Sequence, residues 1–249
     1  MQTLNPLPIL RKHYQEKGFC VLKNVLSESD CARVIERMES MNRDENLRFL
    51  PRMNPDRDFA MFRGLLCHPE IVESMESILN SPVEALQSLM YFKPPGQLGR
   101  DVHQDNHYVQ THKGALIGTW LSLDAADIEN GCLFVYPGSH QEDVLEIEVD
   151  KDRRETNAGG FVNERGQSCR IPSQYVQENV ITERGDVVLM DGNLIHGSGD
   201  NRSETRFRRA FVGHYIKKGF PFIAGGHAKR MRIDVHDPAN LTWKSEVSA

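Results

Sequence analysis

The pattern of apolar residues changes near residue 82, and that change limits the folds open to this chain. Before it, apolar residues recur at helical spacing. After it, short β-rich runs are cut by Gly, Pro and Asn. Residues 83–92 are extended and partly alternating. Residues 115–123 (ALIGTWLSL), 132–136, 180–182, 187–190 and 207–216 read as further strands, with Asn130-Gly131 and Pro137-Gly138 as turns. Many short strands between tight turns imply an all-β sandwich or barrel. The first 80 residues supply a helical layer behind it. Leu7–Lys17 is amphipathic and stops at Gly18, and Phe19–Leu22 is a short apolar strand. Ser27 caps a helix carrying Ala32, Ile35 and Met38, and Pro69–Leu79 places Ile71, Met75, Ile78 and Leu79 on one face. Residues 42–58 are polar, with two prolines, and read as a loop.

With 249 residues and no repeat, the chain suits a single domain. It divides into a helical layer (1–80), a β core (81–216) and a basic, weakly patterned tail (217–249). Residues 141–179 are polar and contain Gly159-Gly160. A segment of that length among compact strands is expected to be a mobile lid, lining the substrate mouth with loop 42–64. The net charge of −5 argues against nucleic acid as a partner. No apolar run is long enough to span a membrane, and the first residues lack the apolar stretch of a secretion signal. Cys20, Cys31, Cys67, Cys132 and Cys169 are odd in number and never in CxxC spacing. They read as free thiols, so a cytoplasmic location is expected.

The chemistry centres on His103-Gln104-Asp105. In an extended chain the first and third residues share a face, so one strand would offer an imidazole and a carboxylate together. With ten histidines in the chain, such a pair arises easily by chance. His196 gives it meaning. It follows the apolar run 187–190 at the rim of the core, where ligands belong. Two histidines and one carboxylate form the facial triad of non-haem Fe(II) oxygenases, with open coordination positions. Downstream, Arg206-Phe207-Arg208-Arg209 opens an apolar strand. An arginine there needs a reason, and a carboxylate ligand gripped by its planar fork is one.

These residues resemble the phytanoyl-CoA dioxygenase family of Fe(II)/2-oxoglutarate oxygenases, over most of the chain from Gly18 to Tyr215. The resemblance rests on Lys93-Pro94-Pro95, His103-Gln104-Asp105, the Trp120 strand, Asn130-Gly131-Cys132-Leu133, Pro137-Gly138-Ser139-His140, Gly185-Asp186-Val187 and His196-Gly197-Ser198-Gly199. It implies a mainly β fold with N-terminal helices and a double-stranded β-helix (jelly-roll, cupin-like) core. It implies Fe(II) held by His103, Asp105 and His196, with 2-oxoglutarate as cosubstrate and O2 as oxidant. It places Arg208 on the distal carboxylate of 2-oxoglutarate. The spacing from His196 is one residue longer than the family's commonest, so Arg206 is the alternative. Leu89, Trp120 and Ser198 match positions that contact 2-oxoglutarate, and Gln87 shares the face of Leu89. Asp105 fills the position that halogenating relatives leave to chloride, so hydroxylation-type chemistry is implied.

The implied activity is oxidation of a C–H bond of a small molecule, coupled to decarboxylation of 2-oxoglutarate to succinate and CO2. A non-catalytic jelly-roll binding module and a metal-dependent hydrolase are the alternatives. The first needs a broken triad, and the second leaves the arginine and Trp120 without purpose. His107, His112 and His140 read as loop or structural histidines. Lys229-Arg230-Met231-Arg232 is a weak hint of an anion site. The identity of the substrate and the oligomeric state are not encoded in any motif.

Overall fold

The computed structural model describes residues 7–41, 49, 51–149 and 167–241. The elements run α1 (Leu7–Lys17), β1 (Phe19–Leu22), α2 (Glu28–Ser40), β2 (Arg52–Met53), α3 (Ala60–Leu66), α4 (Pro69–Leu79), β3 (Val83–Tyr91), β4 (Arg100–His103) and α5 (Asn106–Val109). They continue with β5 (Leu116–Ser122), β6 (Leu133–Val135), β7 (Ile147–Val149), β8 (Gln167–Cys169), β9 (Glu178–Val180), β10 (Val187–Asp191), β11 (His196–Ser198) and β12 (Ala210–Lys217). A six-stranded sheet has the order β1-β10-β5-β12-β3-β2, and a four-stranded sheet has the order β4-β11-β6-β9. All their pairings are antiparallel. This is the jelly roll implied by the sequence.

The large sheet is buried on both faces, which explains why residues 187–190 are apolar without a break. Val187 and Leu189 point to the helices, packing with Val34, Met38, Leu65 and Met75. Val188 and Met190 point between the sheets, with Leu89, Trp120, Val212 and the small-sheet residues Leu133 and Val135. Burial of the helical faces ties the N-terminal layer to the sheet. Ser27 caps α2 by accepting a bond from Asp30 N at 3.1 Å.

Three expectations need correction. The loop expected over 42–64 contains α3, while residues 42–48 and 50 lie outside the described residues. Helix α3 has only seven residues and no side-chain cap, so it carries no sequence signal. Burial of Met61, Phe62, Leu65 and Leu66 holds it. The last strand begins at Ala210 and not at residue 207, because 201–209 is irregular. The strand expected at 180–182 is displaced to Glu178–Val180, with Thr182 in an isolated bridge to Ala126.

Gly185 fixes how β1 and the following turn dock against β10. Its φ is +88°, and its carbonyl accepts bonds from Val25 N and Leu26 N at 2.9 and 3.2 Å. A Cβ there would sit 2.1 Å from Leu26 O. Left-handed strain and overlap with backbone together predict that Gly185→Ala destabilises the fold by about 3 kcal/mol or more. A urea midpoint unchanged from wild type would contradict this reading of the turn.

Candidate metal and cosubstrate site

The two sheets enclose a cavity of about 270 Å3, lined by His103, Asp105, His196, Trp120, Ser198 and Arg208 among others. Strand pairing builds its centre. His196 on β11 lies directly opposite His103 on β4, so their rings stand side by side with centroids 4.3 Å apart. Asp105 arrives differently from expectation. His103 ends β4, and Asp105 has turned into helical conformation at the start of α5 (φ −59°, ψ −32°). The HxD unit is therefore a strand end and a turn, not one strand.

Buried amides hold that turn. Asn106 N donates to Gly192 O at 2.8 Å, and Asn106 Nδ2 donates to Asn193 Oδ1 at 2.8 Å. Gln104 Nε2 donates to Asn193 O at 2.8 Å, and its Oε1 accepts from Leu145 N. The loop that delivers His196 is thereby tied to the turn that delivers Asp105.

The donor atoms converge. His103 Nε2 lies 3.5 Å from Asp105 Oδ1, and His196 Nε2 lies 3.8 Å from Oδ2. One ligand atom from each of the three residues falls within a 4.8 Å set. Each imidazole gives its Nδ1 to a backbone carbonyl, His103 to Asp101 O at 2.8 Å and His196 to Leu194 O at 2.9 Å. That fixes the tautomer and turns both Nε2 lone pairs inward, as metal ligation requires. Arg100 Nε donates to the lone pair of His103 Nε2 at 3.1 Å, so a cationic group already occupies that direction. Burial, then the Arg100 guanidinium and His196, push His103 down to about 3, which keeps it neutral. For Asp105 burial opposes ionisation, but the imidazoles of His214 and His196 and the hydrogen bond from His214 Nε2 outweigh it. Its carboxyl stays well below the usual range.

The sequence reading missed His214. It lies on β12, and its Nε2 is 3.1 Å from Asp105 Oδ2. Gln87 Nε2 donates to His214 Nδ1 at 2.9 Å, leaving Nε2 as the donor toward the carboxylate. Counting in twos back from His214 gives Val212 and Ala210, which also face between the sheets. That parity was readable, but no motif drew attention to it.

Arg208 is 1 % exposed, and its Cζ sits 4.6 Å from the centroid of the Trp120 ring. Its Nε and Nη1 are buried without a hydrogen-bond partner. A buried guanidinium without a counter-charge is costly, and burial lowers it to about 10. Leu89 and Ser198 join Trp120 on the cavity wall, and Gln87 lines it as well as holding His214. Ser198 Oγ accepts from Arg100 N at 3.1 Å, which leaves its own O–H to donate elsewhere. Arg206 does not reach the cavity. It pairs outside with Asp127 at 2.8 Å and with Glu129. Residues two apart share a face only within a strand, and the strand starts at Ala210, so the alternation that would put Arg206 on the face of Arg208 does not extend to it.

Of the expected lid, residues 150–166 lie outside the described residues. No other residue of 141–179 lines the cavity. His140 packs on Gly18 and bonds Gln15 O, His112 packs on Phe220, and His107 packs on Tyr108, so none of the three is in the site. The tail, from which the sequence promised little, supplies Gly225, Gly226, His227, Ala228 and Arg230 to the wall.

Residues 14–210 match the sequence profile described as Phytanoyl-CoA dioxygenase (PhyH). Peroxisomal phytanoyl-CoA dioxygenase of Mus musculus is 30% identical over 235 residues, covering 82% of this chain and 67% of that protein. Phytanoyl-CoA dioxygenase domain-containing protein 1 of Bos taurus is 34% identical over 142 residues, covering 56% of this chain and 46% of that one. Among solved structures, the non-heme alpha ketoglutarate dependent carbocyclase SnoK superposes with a TM-score of 0.71 at 20% identity, covering 91% and 92% of the two chains. EvdO2 from Micromonospora carbonacea var. aurantiaca, complexed with 2-oxoglutarate, gives 0.68 at 21% identity, covering 90% and 96%. At such identities these two show a shared fold.

Proposed function

Since the chain belongs to the phytanoyl-CoA dioxygenase family, we propose that this cavity is its active site, with His103, Asp105 and His196 holding Fe(II) and Arg208 holding 2-oxoglutarate. The activity is that of a non-haem Fe(II)- and 2-oxoglutarate-dependent dioxygenase. The observation that carries the residue assignment is the meeting of two features in one cavity. One is a set of inward lone pairs that suits a divalent cation. The other is a buried arginine with no partner, which suits a dicarboxylate.

When bound, Fe(II) with 2-oxoglutarate and O2 supplies the oxidising power, yielding succinate, CO2 and an oxidised C–H bond. The protein's own residues position and shield. Arg208 receives the distal carboxylate with its fork while Trp120 supports the guanidinium face. The Ser198 hydroxyl donates toward the same molecule. Leu89, Met190 and Val212 wall off water. His214 holds Asp105 by one oxygen and frees the other for the metal. No described helix is long and apolar enough to cross a membrane, and all five cysteines are free and buried. The buried thiols support a reducing compartment such as the cytoplasm. The substrate is a small molecule.

Purified protein given Fe(II), 2-oxoglutarate and air should form succinate, faster with a turnover substrate from a metabolite panel. Zn(II) in place of Fe(II) should support none. Turnover with Zn(II) would favour a hydrolase and contradict the assignment. A separate expectation concerns His214: His214→Phe should weaken metal affinity about 10- to 100-fold, with partial recovery in His214→Gln. Equal metal affinity in all three proteins would remove it from the site.

A further inference from the structure

After β12 the chain folds back over the cavity, and this return is fixed by hydrogen bonds. Ile223 N donates to Val109 O at 2.9 Å, and Arg230 N donates to Ala224 O at 2.8 Å. Met231 N donates to Leu86 O at 3.3 Å, and Ile233 pairs with Ala85 in both directions. From the opposite side Asn54 Nδ2 donates to Ala228 O at 2.9 Å. The result is a further arginine in the cavity wall, beside Arg100 and Arg208. Arg230 is 9 % exposed.

The bonding of its guanidinium is lopsided. Nη1 donates to Tyr108 O at 3.0 Å and to Ile223 O at 3.2 Å. Nε is buried with no partner, and Nη2 bonds no described residue. In a guanidinium, Nε–H and Nη2–H run parallel along one edge. Carbonyls hold Nη1, and the edge that fits a carboxylate side-on is left over. Burial lowers the Arg230 guanidinium, and the charge of Asp105 works against that.

Arg230 is not a second grip on the distal end of 2-oxoglutarate. On β3, Tyr91 faces Ala210, two residues past Arg208, whereas Leu86 receives the bond from Met231, next to Arg230. Five residues of strand separate those levels, roughly 16 Å. His214, which touches Asp105, pairs with Gln87 beside Leu86. The two arginines thus bracket the triad along β3, with Arg208 on the cosubstrate side and Arg230 on the other.

We propose that Arg230 anchors a carboxylate of the primary substrate, so that the enzyme oxidises a C–H bond of a small free carboxylic acid held beside the triad. The proposal rests on the reading of this cavity as an Fe(II)/2-oxoglutarate site. It excludes substrates whose acid group is masked as an ester or thioester.

The test uses full-length protein loaded with Mn(II) and 2-oxoglutarate under argon, so that nothing turns over. Binding of short-chain and aromatic carboxylic acids is measured by calorimetry, each beside its methyl ester, its CoA thioester and a phosphate monoester of similar size. At least one acid should bind tenfold or more tighter than its ester and thioester. R230Q should erase that preference, R230K should keep part of it, and both should retain wild-type affinity for Mn(II) and 2-oxoglutarate. Those two affinities also show that the variants are folded. Three results would overturn the proposal: no acid preferred over its ester across the panel, a preference that survives R230Q, or a phosphate monoester favoured over every acid. Loss of 2-oxoglutarate binding in R230Q would move Arg230 to the cosubstrate and overturn it too. Wild-type protein that binds neither Mn(II) nor 2-oxoglutarate would instead defeat the underlying reading, and the proposal with it.

Discussion

Arg208→Leu should weaken 2-oxoglutarate binding by about 100-fold or more while making the ligand-free protein more stable. Removing one partner of a buried, hydrogen-bonded charge pair costs about 3–5 kcal/mol, and each 1.4 kcal/mol is tenfold in affinity. The effect on the free protein runs the other way. Arg208 is 1 % exposed, with Nε and Nη1 unpartnered. Leucine against Trp120 removes a desolvated charge and keeps the packing. The KM for 2-oxoglutarate and the thermal midpoint of apoprotein read the two halves separately. A lower midpoint with an unchanged KM would make Arg208 a structural residue and nothing more.

The second large effect belongs to the triad. His196→Ala and Asp105→Ala should each lose stoichiometric iron and all coupled succinate formation. His103 and His196 meet across one strand pairing, and Asp105 bridges them at 3.5 and 3.8 Å, so no neighbour replaces either. Asp105→Ala also leaves His214 Nε2 without its acceptor, so it should destabilise the protein more than His196→Ala does. Metal analysis of protein purified without oxygen, with urea midpoints for both, checks these statements. Full iron in either variant would show that the metal sits elsewhere.

What the sequence made legible follows physical lines. Strands β1 and β10 were readable because their apolar runs follow turns that need glycine, Gly18 and Gly185, both at positive φ. The triad was readable because His103 and Asp105 are close in sequence and His196 follows a core strand. Features set by tertiary contacts were not readable. Helix α3 has no cap and exists through burial alone. Asp105 leaves the strand because Asn106 is tied to Gly192 and Asn193, which lie far along the chain. His214 and Arg230 enter the site by long-range pairing, β12 on β3 and Ile233 on Ala85. Neither sits in a motif. The choice between Arg206 and Arg208 depends on where β12 begins, and the acids Asp127 and Glu129 hold Arg206 outside the cavity.

The central claim is that one cavity holds a metal on His103, Asp105 and His196 and anchors 2-oxoglutarate through Arg208. Anaerobic titration of 2-oxoglutarate into Fe(II)-loaded protein tests it most directly, because chelation of ferrous iron by an α-keto acid produces a visible charge-transfer absorption. Wild-type protein should develop that band to saturation at one equivalent of iron. His196→Ala should show none, and Arg208→Leu should reach the same band only at about 100-fold higher 2-oxoglutarate. A band that forms in both variants as it does in wild type would contradict the account.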